Sequence, residues 1–143
     1  MSPSAITTRV DGRGVLEVVI DTPGSRVNIL TGGVAAELRE TLEDISRDSC
    51  RVVVLRTGKF RSFINGAQLM LASAVRIFEL TAPLRAAYQA LEAVPVPTIA
   101  AVEGACYGCG VELTLRADWR VARDGADTTF YMTEVTDYLD APA

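Results

Sequence analysis

Short apolar runs alternate with longer stretches of helical periodicity along this chain. Runs of four to six residues that are rich in β-branched or aromatic side chains predict strands. They fall at residues 6–10, 15–20, 51–56, 98–102, 119–122 and 129–132. Apolar residues at helical spacing predict helices over residues 33–47, 69–94 and 111–116. The alternation of strands and helices is typical of an α/β domain.

The first two predicted helices differ in pattern. In the first, Val34, Leu38, Leu42 and Ile45 fall on one face, and the charged residues between them lie away from it. The second is rich in alanine and is interrupted by Pro83. Because proline lacks the N–H that a helix interior needs, we expect either two helices here or one helix with a kink. A V-P-V-P segment ends the pattern.

Two glycine-containing segments each follow a predicted buried strand. One is the expected loop T-G-K-F-R-S-F-I-N-G-A from Thr57, and the other is the expected turn G-A-C-Y-G-C-G from Gly104. Glycine lets the backbone approach a ligand without a Cβ in the way. We expect each turn to open a helix, whose N-terminus favours negative charge. The two turns would then aim one backbone N–H each at a shared oxygen; two ordinary strand-to-helix turns are the alternative.

Cys106 and Cys109 form a C-x-x-C motif inside the second turn. A helix N-terminus activates a thiol, so a thioredoxin-like redox site is one interpretation. Against it, such motifs come early in their domain, whereas this one follows more than 100 residues. A zinc site would need the distant Cys50 and has no histidine to complete it. We therefore expect the turn to work through its backbone, with the sulfur atoms as bystanders.

Composition narrows the chemistry further. With 143 residues, 49% of them hydrophobic, and a net charge of −4, the chain fits one domain and does not favour nucleic acid as a partner. It contains no histidine, so acid–base chemistry near neutral pH falls to carboxylates, cysteine, tyrosine or the single lysine. No apolar run approaches the roughly 20 residues that span a bilayer, and the N-terminus has no apolar signal core. We expect a cytoplasmic protein that binds no membrane.

Several segments, in the same order, resemble the enoyl-CoA hydratase (crotonase) family. F-I-N-G-A-Q-L from Phe63 is similar to F-x-x-G-A-D-L/I. P-T-I-A-A-V-E-G-A-C-Y-G-C-G-V-E-L from Pro97 is similar to P-x-I-A-A-V/I-x-G-x-x-x-G-G-G-x-E-L. F-Y-M-T-E-V from Phe130 stands where the family has F-G-L-P-E-V. The likeness runs from about Val15 to Val135 and is closest to the hydratase region of multifunctional fatty-acid oxidation proteins.

The resemblance implies a fold and an assembly. The expected fold is an α/β crotonase-like superhelix of ββα units, truncated on its C-terminal side. Residues 1–143 would form a single domain that contains only the N-terminal core of this fold. In the family, the C-terminal half closes the acyl pocket and builds the trimer interface. We therefore expect either a trimer-based homo-oligomer or a second protein chain that completes the site.

The resemblance also implies the substrate and the site. An acyl thioester of coenzyme A or of a carrier's pantetheine arm would bind with no separate cofactor and no metal. Its carbonyl would lie between the backbone N–H groups of Ala67 and Cys109, an oxyanion hole for enolate-like charge. Glu112 would deprotonate water for attack at Cβ, and Glu134 would exchange the proton at Cα. The remaining substrate-binding positions would be Gly66, Gln68, Gly108 and Gly110.

A few positions depart from the family pattern. Gln68 replaces an acidic residue, and Cys109 interrupts a run of glycines. Tyr131 and Thr133 replace the glycine and the proline that precede Glu134 in the family pattern. These changes keep open a second hypothesis, a non-catalytic interaction or scaffold subunit on the same fold. Glutamate at both acid–base positions favours a hydratase-type lyase over an isomerase or a decarboxylase of the same family.

Overall fold

The computed structural model describes the backbone of residues 3–67 and 74–132, and the side chains of these residues apart from 74–80. Strands and helices alternate through both ranges, as the sequence predicts. In chain order they are β1 (Ile6–Val10), β2 (Val15–Ile20), α1 (Gly32–Glu43), β3 (Val52–Thr57), β4 (Ser62–Ile64), α2 (Ala74–Glu92), β5 (Thr98–Val102), β6 (Ala105–Tyr107), α3 (Cys109–Arg116), β7 (Trp119–Ala122) and β8 (Thr129–Tyr131).

The strands form two sheets between which the chain alternates. The larger sheet has the order β1-β2-β3-β5-β7, with β1 antiparallel to β2 and the other pairs parallel. The smaller sheet has the order β4-β6-β8 and is parallel throughout. Each of β3, β5 and β7 in the larger sheet is followed along the chain by one strand of the smaller sheet. Two strands and then a helix thus recur, which is the ββα unit that the resemblance implies.

The core lies on one face of the larger sheet. Val18, Val53 and Leu55 are fully buried, whereas the residues between them in β2 and β3 are at least partly exposed. This alternation follows from the two-residue period of a strand. The outward face carries ion pairs instead, such as Arg56 Nη1 to Glu17 Oε1 at 3.0 Å.

Helix α1 closes over this core together with α2. Its N-cap is Thr31, whose hydroxyl accepts a hydrogen bond from the Val34 N–H at 3.2 Å. Val34, Leu38 and Leu42 are buried, as their spacing predicts. The helix ends at Glu43, four residues before the predicted end, and the buried Ile45 follows it.

Helix α2 runs through Pro83 without a break, from Ala74 to Glu92. One helix rather than two therefore occupies the described residues, while the predicted positions 69–73 lie outside them. None of the helices in residues 3–67 and 74–132 combines the length and the apolar content needed to cross a membrane.

Two short strands correct the sequence prediction. β4 lies within the expected loop from Thr57, and β6 lies within the expected turn from Gly104. Each has only three residues, too few to show a strand's alternation, and pairing with neighbouring strands holds both in place. As a second correction, α3 begins at Cys109 rather than at residue 111.

Candidate active site

The two glycine turns lie side by side at one edge of the smaller sheet. They follow β4 and β6, which are adjacent and parallel, so the carboxyl ends of both strands meet at the same edge. A Cβ placed on Gly66 would lie 3.9 Å from the carbonyl oxygen of Tyr107. A Cβ on Gly110 would lie 2.8 Å from the carbonyl oxygen of Ile64. Each turn thus packs against the end of the other turn's strand.

Backbone bonds on both sides fix the second turn. Gly108 has φ 49° and ψ −116°, a conformation that only glycine adopts readily. Its N–H donates to the Tyr131 carbonyl on β8 at 2.9 Å, and its carbonyl accepts from the Glu112 N–H at 3.1 Å. The turn is therefore anchored to β8 on one side and to α3 on the other.

The first turn is held by the segment that precedes α1. Ala67 forms a parallel bridge with Leu30, and the Leu30 N–H donates to the Gly66 carbonyl at 3.0 Å. One step earlier, the Asn65 N–H donates to the Asn28 carbonyl at 2.8 Å. Residues 28–30 therefore set the position of the Ala67 backbone.

Asn28 is the buried polar centre of this arrangement, and its side chain is fully enclosed. Its Nδ2 lies 2.8 Å from the Ile20 carbonyl, 3.0 Å from the Phe63 carbonyl and 3.0 Å from the Thr57 hydroxyl. Its Oδ1 accepts from the Thr22 N–H at 2.9 Å. Sequence reasoning gave Asn28 no role; an amide inside the apolar run V-N-I-L was the signal available.

Glu112 lies exposed in the first turn of α3, next to the second glycine turn. The hydroxyl of Tyr88, on α2, is 3.0 Å from Glu112 Oε2 and 3.1 Å from the Cys109 carbonyl oxygen. Burial raises the pKa of Tyr88 well above its ordinary value, and the neighbouring Cys109 and Glu112 raise it further. The hydroxyl therefore keeps its proton. Sequence reasoning missed Tyr88, because one tyrosine in an alanine-rich helix gives no distinguishing signal.

Arg116 completes the contact between α2 and α3. It lies one turn beyond Glu112, and its guanidinium donates to Glu92 Oε1 at 2.8 Å. The same guanidinium lies 5.9 Å from the centroid of the Tyr88 ring. The hydrogen bond to Glu92 and the charge of that residue are the main causes that raise the pKa of Arg116. A positive charge thus lies near the Tyr88–Glu112 pair.

Most of the predicted site residues fall within the described ranges. Gln68, Thr133 and Glu134, the last of which is the second carboxylate of the predicted pair, lie outside them. The residues that the structure brings to one edge of the smaller sheet are Gly66, Ala67, Gly108, Cys109, Gly110 and Glu112.

The surroundings of the three cysteines do not favour thiol chemistry. Cys50, Cys106 and Cys109 are all buried, and none of the three forms a disulfide. Burial raises the pKa of the Cys106 thiol from 9.0 to about 12, the opposite of what a reactive thiol needs. Within residues 3–67 and 74–132, no three side chains of the metal-ligating types cluster. The geometry argues against the redox interpretation of the C-x-x-C motif.

Superposition on solved structures shows which class of fold the chain has. An enoyl-CoA hydratase from Bacillus anthracis superposes with a TM-score of 0.83 over 96% of this chain and 53% of its own, at 24% identity. An enoyl-CoA hydratase/carnithine racemase from Magnetospirillum magneticum superposes with a TM-score of 0.81 over 99% of this chain and 53% of its own, at 28% identity. The predicted crotonase-like α/β fold is confirmed. The chain spans about half the length of these structures.

The chain belongs to the enoyl-CoA hydratase/isomerase family, whose sequence profile matches residues 11–136. The fatty acid oxidation complex subunit alpha of Shewanella sp. (strain ANA-3) is 36% identical over 135 residues, covering 91% of this chain and 19% of that protein. The same subunit of Idiomarina loihiensis is 35% identical over 136 residues, with 92% and 19% covered. This membership confirms the family resemblance that the motifs indicate. The chain spans about a fifth of the length of these relatives.

Proposed function

We propose that this chain binds acyl thioesters and takes part in enoyl hydratase or dehydratase chemistry. The observation that carries the proposal is the juxtaposition of two glycine turns at the ends of the parallel strands β4 and β6. Membership of the enoyl-CoA hydratase/isomerase family supports a substrate of this class. Coenzyme A or phosphopantetheine would enter as part of the substrate, and the chemistry needs no further cofactor or metal.

In the proposed mechanism, the thioester carbonyl accepts hydrogen bonds from the N–H groups of Ala67 and Cys109. When water adds at Cβ of the enoyl group, negative charge develops on the carbonyl oxygen as an enolate. A preorganised donor stabilises such charge by about 3 kcal/mol. The donor at Cys109 is the backbone, so its side chain has no part in the reaction. The N-terminal end of α3 adds its positive dipole.

The proposed acid–base pair supplies and collects protons. Glu112 removes a proton from the water that attacks Cβ, and Glu134 delivers a proton to Cα, which adds the elements of water across the double bond. The reverse sequence is dehydration. The exposed position of Glu112 beside the second turn is consistent with access to water. Glutamate at both positions favours this lyase chemistry over isomerisation or decarboxylation.

The test is turnover of a short 2-enoyl thioester, followed by loss of its conjugated absorbance. We expect Glu112→Gln and Glu134→Gln each to lower kcat by about 100-fold to 10,000-fold. Glu43→Gln is the matched control, because Glu43 pairs with Arg39 on the exposed face of α1. Turnover that survives both site substitutions would refute the assignment of the carboxylates. If the wild type shows no turnover, alone or with candidate partner chains, the proposal that this chain takes part in catalysis is refuted.

A second candidate function is that of an interaction or scaffold subunit, and one surface feature favours it. Trp119 and Val121 are 67% and 59% exposed on β7, at the edge of the larger sheet as the described residues form it. Val121 lines a groove together with Val54 and Ala101, and charged side chains such as Arg56 and Glu103 also border this groove. Exposed apolar surface of this kind is typical of interaction sites. We propose that this surface contacts another copy of the chain, in a trimer-based homo-oligomer, or a chain that completes the site.

A further inference from the structure

The hydroxyl of Tyr88 lies between Cys109 and Glu112, the two residues of α3 that the proposed mechanism uses. Tyr88 Oη is 3.0 Å from the carboxylate oxygen Oε2 of Glu112 and 3.1 Å from the carbonyl oxygen of Cys109. A phenol carries a single hydrogen, so it donates fully to only one of these acceptors at a time. The carboxylate, being charged, is the stronger acceptor. The hydrogen therefore points to Glu112 whenever that residue is ionised.

The surroundings hold the Tyr88 side chain in place, and Tyr88 donates a hydrogen bond to the Glu112 carboxylate. The Tyr88 side chain is packed into the core, with 8% of the residue exposed. Arg116, itself tied to Glu92, lies against the Tyr88 ring. Glu112, by contrast, is an exposed glutamate whose rotamers are costly to order. A hydrogen bond from a fixed phenol is what would confine its carboxylate.

We propose that Tyr88 is a positioning residue for Glu112, an inference that rests on the proposed hydratase function. Tyr88 binds Oε2 of the ionised carboxylate and leaves Oε1 to accept the hydrogen of the attacking water. When Glu112 has taken up that proton, the Tyr88 hydrogen turns to the Cys109 carbonyl. The proton stays on Tyr88 throughout, and the buried hydroxyl has an acceptor in both states.

The first test reads the hydrogen bond without any need for turnover. With glutamate labelled by 13C at Cδ, the Glu112 signal is assigned by its loss in Glu112→Gln. We expect this signal to move in Tyr88→Phe, which removes only the hydroxyl. It should stay in place in Tyr107→Phe, which removes a hydroxyl 3.3 Å from Thr129 Oγ1. A Glu112 signal that does not move in folded Tyr88→Phe would overturn the proposal.

A reciprocal measurement covers the case in which Tyr88→Phe fails to fold. With tyrosine labelled by 13C at Cζ, the Tyr88 signal should move in Glu112→Ala, which deletes the exposed carboxylate and leaves the core intact. The Tyr107 signal in the same spectrum is the internal reference. A Tyr88 signal that ignores the loss of the carboxylate would reject the contact.

The second test asks whether Tyr88 acts through Glu112. Tyr88→Phe should lower kcat by about 10-fold to 100-fold, the usual effect of a lost hydrogen bond to a charged group, with KM changed by less than about twofold. In a Glu112→Gln background the same substitution should cost less than about threefold. Equal losses in both backgrounds would show that Tyr88 is merely structural. If the wild type has no turnover, the proposed function fails, and the NMR signals still decide the role of Tyr88.

Discussion

At the scale of single residues, Asn28 connects the core to the first glycine turn. Its side chain reaches the ends of β2 and β3 and the strand β4, and its backbone N–H donates to the Ser62 hydroxyl at 3.0 Å. That hydroxyl in turn donates to Asn65 Oδ1 at 2.6 Å. Every step of this chain of bonds is short and largely enclosed. The position of Ala67 therefore depends on a residue that would itself touch no substrate.

Replacing Asn28 by alanine should unfold the protein more readily. The change leaves the Thr22 N–H without its acceptor and removes one donor from the Phe63 carbonyl and one from the Ile20 carbonyl, which keeps its bond from the Gly58 N–H. An unpaired buried group costs about 1–3 kcal/mol. We expect Asn28→Ala to lower the free energy of unfolding by about 3 kcal/mol or more, measured by urea titration. Gln89→Ala, which removes an exposed amide from α2, should change it by less than about 0.5 kcal/mol. Similar losses in the two variants would contradict this role of Asn28.

The Cys106 thiol gives the fold a dependence on alkaline pH. Because burial raises its pKa from 9.0 to about 12, the folded state holds the thiol proton more tightly than the unfolded chain does. This contribution to stability is complete below pH 9.0 and is lost as the pH rises through about 12. The stability that Cys106 contributes should therefore decrease only above about pH 9.

In urea titrations, the free energy of unfolding should fall between about pH 8 and about pH 10, with about 1 kcal/mol of the fall due to Cys106. Cys106→Ala should be less stable at the lower pH and should show a shallower fall. Val102→Ala, a cavity-forming change on β5 with no ionisable group, should keep the wild-type slope. If Cys106→Ala keeps that slope too, the thiol is not the titrating group.

At the scale of elements, the long patterns were predictable, whereas two of the three-residue strands, β4 and β6, were not. The apolar face of α1 and the β-branched run of β3 each repeat often enough to mark a period, and both elements form there, although α1 ends four residues earlier than predicted. β4 and β6 have three residues each and exist because β4, β6 and β8 pair with one another across long stretches of sequence. No local pattern encodes such pairing. Pro83 left open whether one helix or two would form, and α2 continues through it.

The candidate site likewise contains residues that local motifs predict and residues that only tertiary packing brings in. Glycine and glutamate positions in motifs, such as Gly108 and Glu112, could be proposed from sequence because the resemblance fixes their spacing. Tyr88 could not, since it meets Glu112 across 24 residues through the packing of α2 against α3. The role of Asn28 likewise depends on partners as far as 35 residues away. Motifs thus identify the proposed reacting groups, and the fold supplies the residues that hold them.

The contact between α3 and β4 gives a test at this scale. A Cβ on Gly110 would come within 2.8 Å of both the Cβ and the carbonyl oxygen of Ile64, so Gly110→Ala forces the helix away from the strand. We expect a loss of about 1–3 kcal/mol in unfolding free energy and faster amide exchange at the start of α3. Gly33→Ala in α1 is the matched control. Its nearest neighbour would be Thr31 Oγ1 at 3.8 Å, so it should be neutral or stabilise by up to about 1 kcal/mol. Equal stability of the two variants would show that α3 and β4 do not need this close approach.

At the scale of the whole molecule, the repeated ββα unit leaves a surface open to a neighbour. Each described unit sets one strand in the larger sheet and one in the smaller, and β7 and β8 are the last strands in the described order. Both carry exposed apolar or aromatic side chains: Trp119 and Val121 on β7, and Phe130 and Tyr131 on β8. The chain also spans only about half the length of the structures it matches. We therefore expect these side chains to be buried against a second copy of the chain or another protein.

The single tryptophan of the chain lies on this surface and can report its burial. We expect sedimentation to give a species larger than a monomer, and Trp119 emission to shift to shorter wavelength as the protein concentration rises through the association. Val121→Ser should weaken the association, because it removes an exposed apolar neighbour on β7 while touching little of the core. Phe60→Ser is the control, since Phe60 is 76% exposed between β3 and β4. A monodisperse monomer, with emission that is constant across the concentration range, would rule out self-association through β7 and leave a complementing chain as the remaining partner.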